Sequence, residues 1–313
     1  MGIIFTRILQ MAAGLGMLLL SSLGVRIDNE NAMKATSGQV SYTAARLPLT
    51  AVPEFSKQAA DLICGDKTYV PEFLACGTEI GRSVKNRPIY VFEASSPSSS
   101  AISPRASESQ FSLKLLFIGG LHTGTEKNTY SLASKVLQHF YGQPERVPEN
   151  IVLYVIPKAN PDGIANSTHN NARGVDLNRN WPSKDWRNDP FHPTYGYKKG
   201  AGGAAPLSET ETKALDDFIA TLNLDMIFVW HSQAGTVEDN DIGAADALAA
   251  LYAKAARYQH IKEWPHYDAT GTFLDAMREA NIPAAEVELA TRKTEFEKNI
   301  AGIKAVLDFF TGQ

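Results

Sequence analysis

The sequence predicts an α/β fold: a mixed, mostly parallel twisted sheet of about eight strands, flanked by helices on both faces. Three observations predict it. From residue 113 onward, short apolar runs alternate with segments of helical spacing. The runs are apolar throughout, as expected of strands covered on both sides. The chain has 313 residues, 44% of them hydrophobic and 20% charged, an ordinary globular composition that can bury one substantial core.

The elements follow in order. Arg7 precedes the apolar run "ILQMAAGLGMLLLSSLGV", with small residues at Ser22 and Gly24. Residues 1–25 therefore read as a signal peptide cut after Gly24, or as an N-terminal anchor, since the run is near the lower length limit of a spanning helix. Gln10 and the several Gly and Ser weaken it as a span, so cleavage is the expectation. No cysteine near the cut suggests a lipid anchor. Residues 26–50 are polar and mixed, a flexible leader, and the ordered domain runs over 51–313. In an exported chain, Cys64 and Cys76 could close a short loop as a disulfide; two buried thiols are the other reading. "VPEFSKQAADLIC" predicts a helix, "GRSVKNRPIYVFEA" a turn and a strand ending near Phe92, and the Ser- and Pro-rich residues 95–109 an exposed loop.

Strands are then expected at "LKLLFI" (113–118), "IVLYVIP" (151–157), "DMIFVW" (225–230) and "AAEVEL" (284–289). Helices are expected at "TYSLASKVLQHFY", "SETETKALDDFIATL", "AADALAALYAKAARY", "TFLDAMREA" and "EFEKNIAGIKAVLDFF". Ser208 and Glu211 fit a capping box. There is no internal repeat. The net charge is −4 without a basic stripe, which argues against a nucleic-acid partner.

Ligands in open α/β sheets collect beyond the carboxyl ends of strands. His122 follows the run 113–118 after "GGL", His231 follows 225–230 directly, and Glu288 ends the run 284–289. Each has an ordinary explanation taken singly. Glu126 fits the third position of a capping box begun by Thr123, a lone histidine after a strand is usually a structural group, and Glu288 can pair with a nearby base. Taken together they suggest hydrolytic chemistry. His122, Glu126 and His231 supply two imidazoles and a carboxylate for zinc, with one open position for water. Glu288 is then placed to take a proton and return it to a leaving amine.

The segments "GRSVKNRPI", "GGLHTGTE", "NPDG", "ARGVDLNRNWP", "PLSETETKAL", "WHSQAG", "YDATGTF" and "VEL" occur in that order between residues 81 and 289. Together they resemble the zinc carboxypeptidase family, metallocarboxypeptidases of the carboxypeptidase A type. "GVDLNRNWP" is the most specific of them. The resemblance implies a zinc carboxypeptidase-like catalytic domain over 51–313 holding one Zn2+ per chain. His122 matches the first metal ligand, His231 the last, and Glu288 the general base. Asn178 and Arg179 match the pair that binds a substrate's terminal carboxylate, a role suited to a forked guanidinium and a directed amide. Tyr267 matches the mobile tyrosine that closes over substrate.

Two departures stand out. "HTGTE" has three residues between His122 and Glu126, where the family usually has two; a bacterial branch is similar in this longer spacing, and Glu126 is kept as the third ligand. Seven residues before the Asp of "DLNRN" the family commonly has an Arg that polarises the scissile carbonyl; here His169 stands there. A protonated His169 is expected to take that part, with Arg173 as the other residue able to reach in. The position that sets terminal-residue preference aligns with Leu274, suggesting an apolar or mixed pocket; a shifted alignment puts Asp275 there, and Asp268 is placed to meet an amine.

The function implied is hydrolysis of the C-terminal amide bond of peptides, cell-wall (murein) peptides among them. The alternatives are a catalytically impaired peptide- or murein-binding relative and a zinc-dependent acyl-amino-acid deacylase, which the intact "LNRN" and Tyr267 disfavour. The expected setting is exported, periplasmic or secreted. Membrane contact is expected only if the N-terminal segment is retained, and the protein is expected to be a monomer. The stretch between the expected cut and "GRSV" is too short for a long inhibitory prosegment.

Overall fold

The computed structural model describes Cys64 and residues 67–96, 112–193 and 196–312. The expected signal segment, the leader, the helix before Cys64 and most of the serine-rich loop lie outside the described residues. Cys64 and Cys76 form a disulfide, with Cα atoms 5.4 Å apart.

The strands are β1 (Thr68–Val70), β2 (Ala75–Arg82), β3 (Pro88–Ser95), β4 (Leu113–Ile118), β5 (Ile151–Ile156), β6 (Phe191–His192), β7 (Gly196–Tyr197), β8 (Met226–Ser232), β9 (Thr236–Asp239), β10 (Gln259–Ile261) and β11 (Ala284–Leu289). Nine of them form one sheet in the order β1-β2-β3-β5-β4-β8-β11-β9-β10, while β6 and β7 pair separately. The centre, β5-β4-β8-β11, is parallel. β1-β2, β2-β3, β3-β5 and β11-β9 are antiparallel. The expected mixed α/β sheet is present, with nine strands rather than about eight. Strands of three or four residues, such as β1, β9 and β10, are too short for an alternation to mark the sequence.

The helices are α1 (Lys127–Tyr141), α2 (Pro161–Asn166), α3 (Thr210–Ala220), α4 (Ala245–Ala256), α5 (Phe273–Glu279) and α6 (Phe296–Thr311). Their apolar faces divide between two cores. α1, α4 and α6 pack on one face of the sheet around Phe117, Phe228 and Trp230; α3 and α5 pack on the other around Leu116, Ile118 and Trp181. Strand alternation makes this division. Met226, Phe228 and Trp230 face the first core, and Ile227 and Val229 the second. The first core holds a run of stacked rings, with Phe117 5.4 Å from both Phe228 and Trp230, and Phe228 5.1 Å from Tyr252. Its buried polar atoms are satisfied: Trp230 Nε1 donates to Tyr252 Oη (3.0 Å), whose hydroxyl donates to Asn299 Oδ1 (2.7 Å).

The Ser208–Glu211 capping box does not form. α3 begins at Thr210 with no side-chain cap bond. Ser208 instead bonds Glu209, and the buried Glu211 carboxylate accepts from the backbone N–H of Val84 (3.3 Å) and from Asn171 (3.3 Å). Tertiary partners outcompete the local cap. The chain runs from β4 through α1 to β5 on one side, and β8 lies on β4's other side, so the crevice beyond β4 and β8 is the topological switch point. Among the described residues, no helix is long and apolar enough to cross a membrane.

Phe228 lies between Phe117 and Tyr252 and is fully buried. Phe228→Ala should therefore destabilise the fold by about 3–5 kcal/mol. Denaturant unfolding measures this, and a loss below about 1 kcal/mol would contradict the packing described.

Candidate active site

The switch point positions the polar groups. After β4 the chain turns through Gly119 and Gly120. A Cβ at Gly119 would lie 2.5 Å from Ala133 Cβ on α1, and Gly120 has φ +65°, so neither position accepts another residue without strain. The turn delivers His122 to the crevice. Glu126 ends the short 3-10 turn Gly124–Glu126 that leads into α1. His231 is the sixth residue of β8, and its β11 register partner is Glu288. Because alternate residues share a face, His231, Glu286 and Glu288 lie on the side of the second core, where apolar filling gives way to a cavity of about 860 Å3.

The capping-box alternative for Glu126 is not realised. Thr123 makes no side-chain cap bond, and its hydroxyl donates to the Thr168 carbonyl. The Glu126 carboxylate turns inward, accepting from Ser232 N–H at 3.1 Å.

His122 Nδ1 and His231 Nδ1 are 3.2 Å apart. The Glu126 oxygens lie 3.5 Å from the first and 3.6 Å from the second. Ligands about 2.0–2.1 Å from a tetrahedral ion sit roughly 3.4 Å from one another, so this triangle fits one small divalent cation. His122 Nε2 lies 2.7 Å from Asp176 Oδ1. With the proton on Nε2, donated to Asp176, the Nδ1 lone pair is free for a cation.

His169 also reaches this cluster, 3.4 Å from Glu126 and 3.5 Å from Asp176, and together with His122 and Glu126 it forms a second conceivable metal group. Its ring stacks on His122, with centroids 3.8 Å apart and planes at 29°, whereas His231 meets His122 edge-on at 67°. Imidazole lone pairs lie in the ring plane. Stacked rings therefore point past a common ion, and the edge-on pair can converge on one. His231 is the better third donor, and His169 stands beside the site.

The charges are strongly coupled. Burial opposes a charged Glu126, but His122, His169 and His231 hold its carboxyl well below the usual range. Burial likewise opposes a charged His231, yet Glu286 and Glu126 raise it to about 9; His169, with Asp176 and Glu126 against it, rises to about 10. Burial pushes Glu288 up to about 8, aided by Glu126, Glu286 and Glu238 and opposed by His231. Without an ion, protons neutralise this cage, and a dication would displace them.

Arg179, 5% exposed, also lines the cavity. It donates to the Asn178 carbonyl (2.6 Å) and to Tyr267 Oη (3.1 Å) and makes no ion pair among the described residues. Asp176 caps this segment by accepting from Asn178 N–H at 2.9 Å. Asn178 Oδ1 accepts from Phe273 N–H (2.8 Å), and its Nδ2 donates to Glu286 (3.0 Å). Tyr267 packs against Phe191 and lines the cavity, as does Leu274 in the first turn of α5. Asp275 is engaged by Thr272 and Arg278, and Asp268 also lines the wall.

Arg173 is the exception among the expected site residues. It stands outside the cavity lining, half exposed, with Glu209 at 3.4 Å. The buried Glu209 draws its guanidinium away from the crevice. Sequence reasoning missed Asp176 as the partner of His122, and also missed Glu286 and Glu238. Period-two spacing back from Glu288 places Glu286 on the same face, so that residue had a signal; Glu238 had none.

The comparisons agree with this geometry. A family model described as zinc carboxypeptidase matches residues 68–238, more than half of the chain. That stretch includes His122, Glu126, Arg179 and His231 but stops before Tyr267 and Glu288. Carboxypeptidase SOL1 of Arabidopsis thaliana is 32% identical over 180 residues, covering 56% of this chain and 32% of the relative. Murein peptide amidase A of Escherichia coli (strain K12) is 30% identical over 172 residues, covering 52% and 62%. The chain thus spans less than two thirds of the length of either relative. Among solved structures, murein-tripeptide amidase from Escherichia coli O157 matches with a TM-score of 0.55 at 22% identity, over 74% of this chain and 90% of that one. Bovine thrombin-activatable fibrinolysis inhibitor matches at 0.61 and 15%, over 82% and 94%. These structural likenesses show a shared fold. With the family model aligned across the segment that carries both imidazoles and Glu126, the chain belongs to the zinc carboxypeptidase family.

Proposed function

We propose that the protein is a zinc-dependent metallocarboxypeptidase that hydrolyses the C-terminal amide bond of peptides, cell-wall peptides among them. The observation that carries the reading is a single cavity lined by a three-donor cation site, a carboxylate beside it, and a buried guanidinium that makes no ion pair among the described residues. His122, Glu126 and His231 would hold the ion. Zinc, when bound, supplies Lewis acidity that activates water and an amide carbonyl.

The remaining steps belong to the chain's own residues. Arg179 and Asn178 bind the terminal carboxylate and set the position of the scissile amide. Tyr267, in contact with Arg179, closes over the bound residue. Glu288, on the strand beside His231, takes a proton from the attacking water and delivers it to the departing amine nitrogen. His169, held cationic by Asp176 and Glu126, faces the reacting carbonyl and stabilises the oxyanion.

The murein option is supported by the likeness to murein peptide amidase A, and export by the N-terminal apolar run together with the Cys64–Cys76 disulfide. A pure binder gains nothing from Glu288, so turnover is favoured over the impaired-relative reading. The deciding experiment incubates zinc-loaded protein with a mixed peptide library and a murein digest and reads the products by mass spectrometry. Release of C-terminal residues, abolished by chelator, is expected; binding without release would overturn the proposal.

His231 holds its proton up to about pH 9 without metal, so an ion must displace it at lower pH. Chelator competition should show zinc affinity rising about tenfold per pH unit between pH 6 and 8. Asp176→Asn, which removes the acceptor of the His122 proton, should weaken zinc binding by about 10- to 100-fold. Glu288→Gln should lower kcat by about 10²–10⁴ with zinc content unchanged, and His169→Gln by about 10²–10³, while His169→Arg retains turnover. Steady-state kinetics on a released-amine assay separates these cases.

A further inference from the structure

One buried amide joins the three chain segments that carry the cation site and the carboxylate beside it. Asn128, 3% exposed, is the second residue of α1, directly beyond the turn that ends at Glu126. Its Nδ2 donates to the carbonyls of Thr291 (2.9 Å) and Lys293 (3.2 Å), in the segment that follows Leu289 at the end of β11. Its Oδ1 accepts from Ser232 Oγ at 3.2 Å. Ser232 follows His231 in β8, and its own N–H donates to Glu126. Carbonyls only accept, so the amide nitrogen must face Thr291 and Lys293, and the amide oxygen must face the hydroxyl. Both faces of the amide are thereby used, on two segments far from its own helix in sequence.

Glu288 depends on its backbone for its place. Its Oε2 is buried without a hydrogen-bond partner among the described residues. β8 and β11 pair in register, His231 with Glu288 and Ser232 with Leu289, and the chain then leaves the sheet. The segment beyond is braced within itself. Glu295 accepts from Ala290 N–H (3.2 Å) and from Thr291 Oγ1 (2.8 Å), and Lys293 N–H donates to Thr291 Oγ1 (3.1 Å). Such a segment shifts as a unit, and Asn128 fastens it to the helix that starts beside Glu126.

We infer that Asn128 is a positioning residue: it holds the end of β11 against α1 and β8, and so sets the distance from Glu288 to the cation site formed by His122, Glu126 and His231. The inference rests on the carboxypeptidase reading above. A general base must lie within hydrogen-bond reach of the proton it takes, and a misplacement of about 1 Å costs on the order of 100-fold in rate. An amide that ties the chain three residues beyond Glu288 to the turn carrying Glu126 fixes that spacing. Asn128→Asp keeps the shape but loses both donors, which leaves a carboxylate facing two carbonyls.

The test is a double-mutant cycle with Glu288→Gln, read on the zinc-loaded protein. In the wild-type background, Asn128→Ala and Asn128→Asp should each lower kcat by roughly tenfold or more, with KM changed by less than about twofold and zinc content unchanged. In the Glu288→Gln background the same changes should lower kcat by less than about twofold, because Asn128 acts through a carboxylate already removed. An amide with a merely structural role would give equal losses in both backgrounds. That additivity would overturn the inference, as would a kcat within about twofold of wild type in both single variants, or a loss that tracks lost zinc. Should the Ala and Asp variants not fold, Asn128→Ser, which keeps one donor, takes their place in the cycle. If the wild-type protein releases no residue from any peptide, the carboxypeptidase reading fails by itself. Crystal structures of wild type and Asn128→Ser then decide the positioning. A shift of Glu288 away from the three donors by about 0.5 Å or more supports it, and unchanged spacing overturns it.

Discussion

The site depends on the parallel register of β8 between β4 and β11. Asp225 pins its start: the Asp225 carboxylate accepts from Lys114 N–H at 2.8 Å, and its own N–H donates to the Lys114 carbonyl at 2.9 Å. From that pin, alternation places Trp230 in the aromatic core and His231 in the crevice. A slip of one residue would exchange them, driving an imidazole among stacked rings and an indole into the cation site. The same register sets Glu288 beside His231 on the next strand. Backbone pairing, far stiffer than side-chain rotamers, thus fixes the His231 corner of a donor triangle with edges of 3.2 to 3.6 Å, and the turn after β4 supplies His122 and Glu126.

That stiffness is needed because the crevice is electrostatically unfavourable by itself. Carboxylates and imidazoles are enclosed at distances where each shifts the others' protonation. Among the described residues the buried Arg179 makes no ion pair, and Glu238 and Glu286 are register partners on adjacent strands. Buried charges without partners cost stability. The two apolar cores on either side of the sheet hold them in place. Functional sites commonly break the rules that the rest of a fold obeys.

Much of the fold was legible in the chain. The runs 113–118, 151–157, 225–230 and 284–289 are the parallel centre, where burial on both faces demands continuous apolar sequence. The amphipathic helices were legible for the same reason. β9 and β10 were not, because strands of three or four residues are held by backbone bonds that leave little trace in side-chain pattern. The Ser208–Glu211 box was locally plausible and still did not form, since Glu211 found partners from Val84 and Asn171, far away in sequence.

The sequence by itself determined which donors emerge at the ends of which strands: His122, His231 and Glu288 follow or end apolar runs, and that is a matter of local pattern. It also determined that "DLNRN" carries a guanidinium and an amide side by side. Only the tertiary structure decided the pairings. It set Asp176 under His122, stacked His169 on that ring, drew Arg173 off to Glu209, and opposed Glu286 to Glu238. The reason is physical: hydrogen bonds and ion pairs fall off within a few ångströms. Which groups come that close depends on how strands distant in sequence are laid together, and residue spacing along one chain does not encode it.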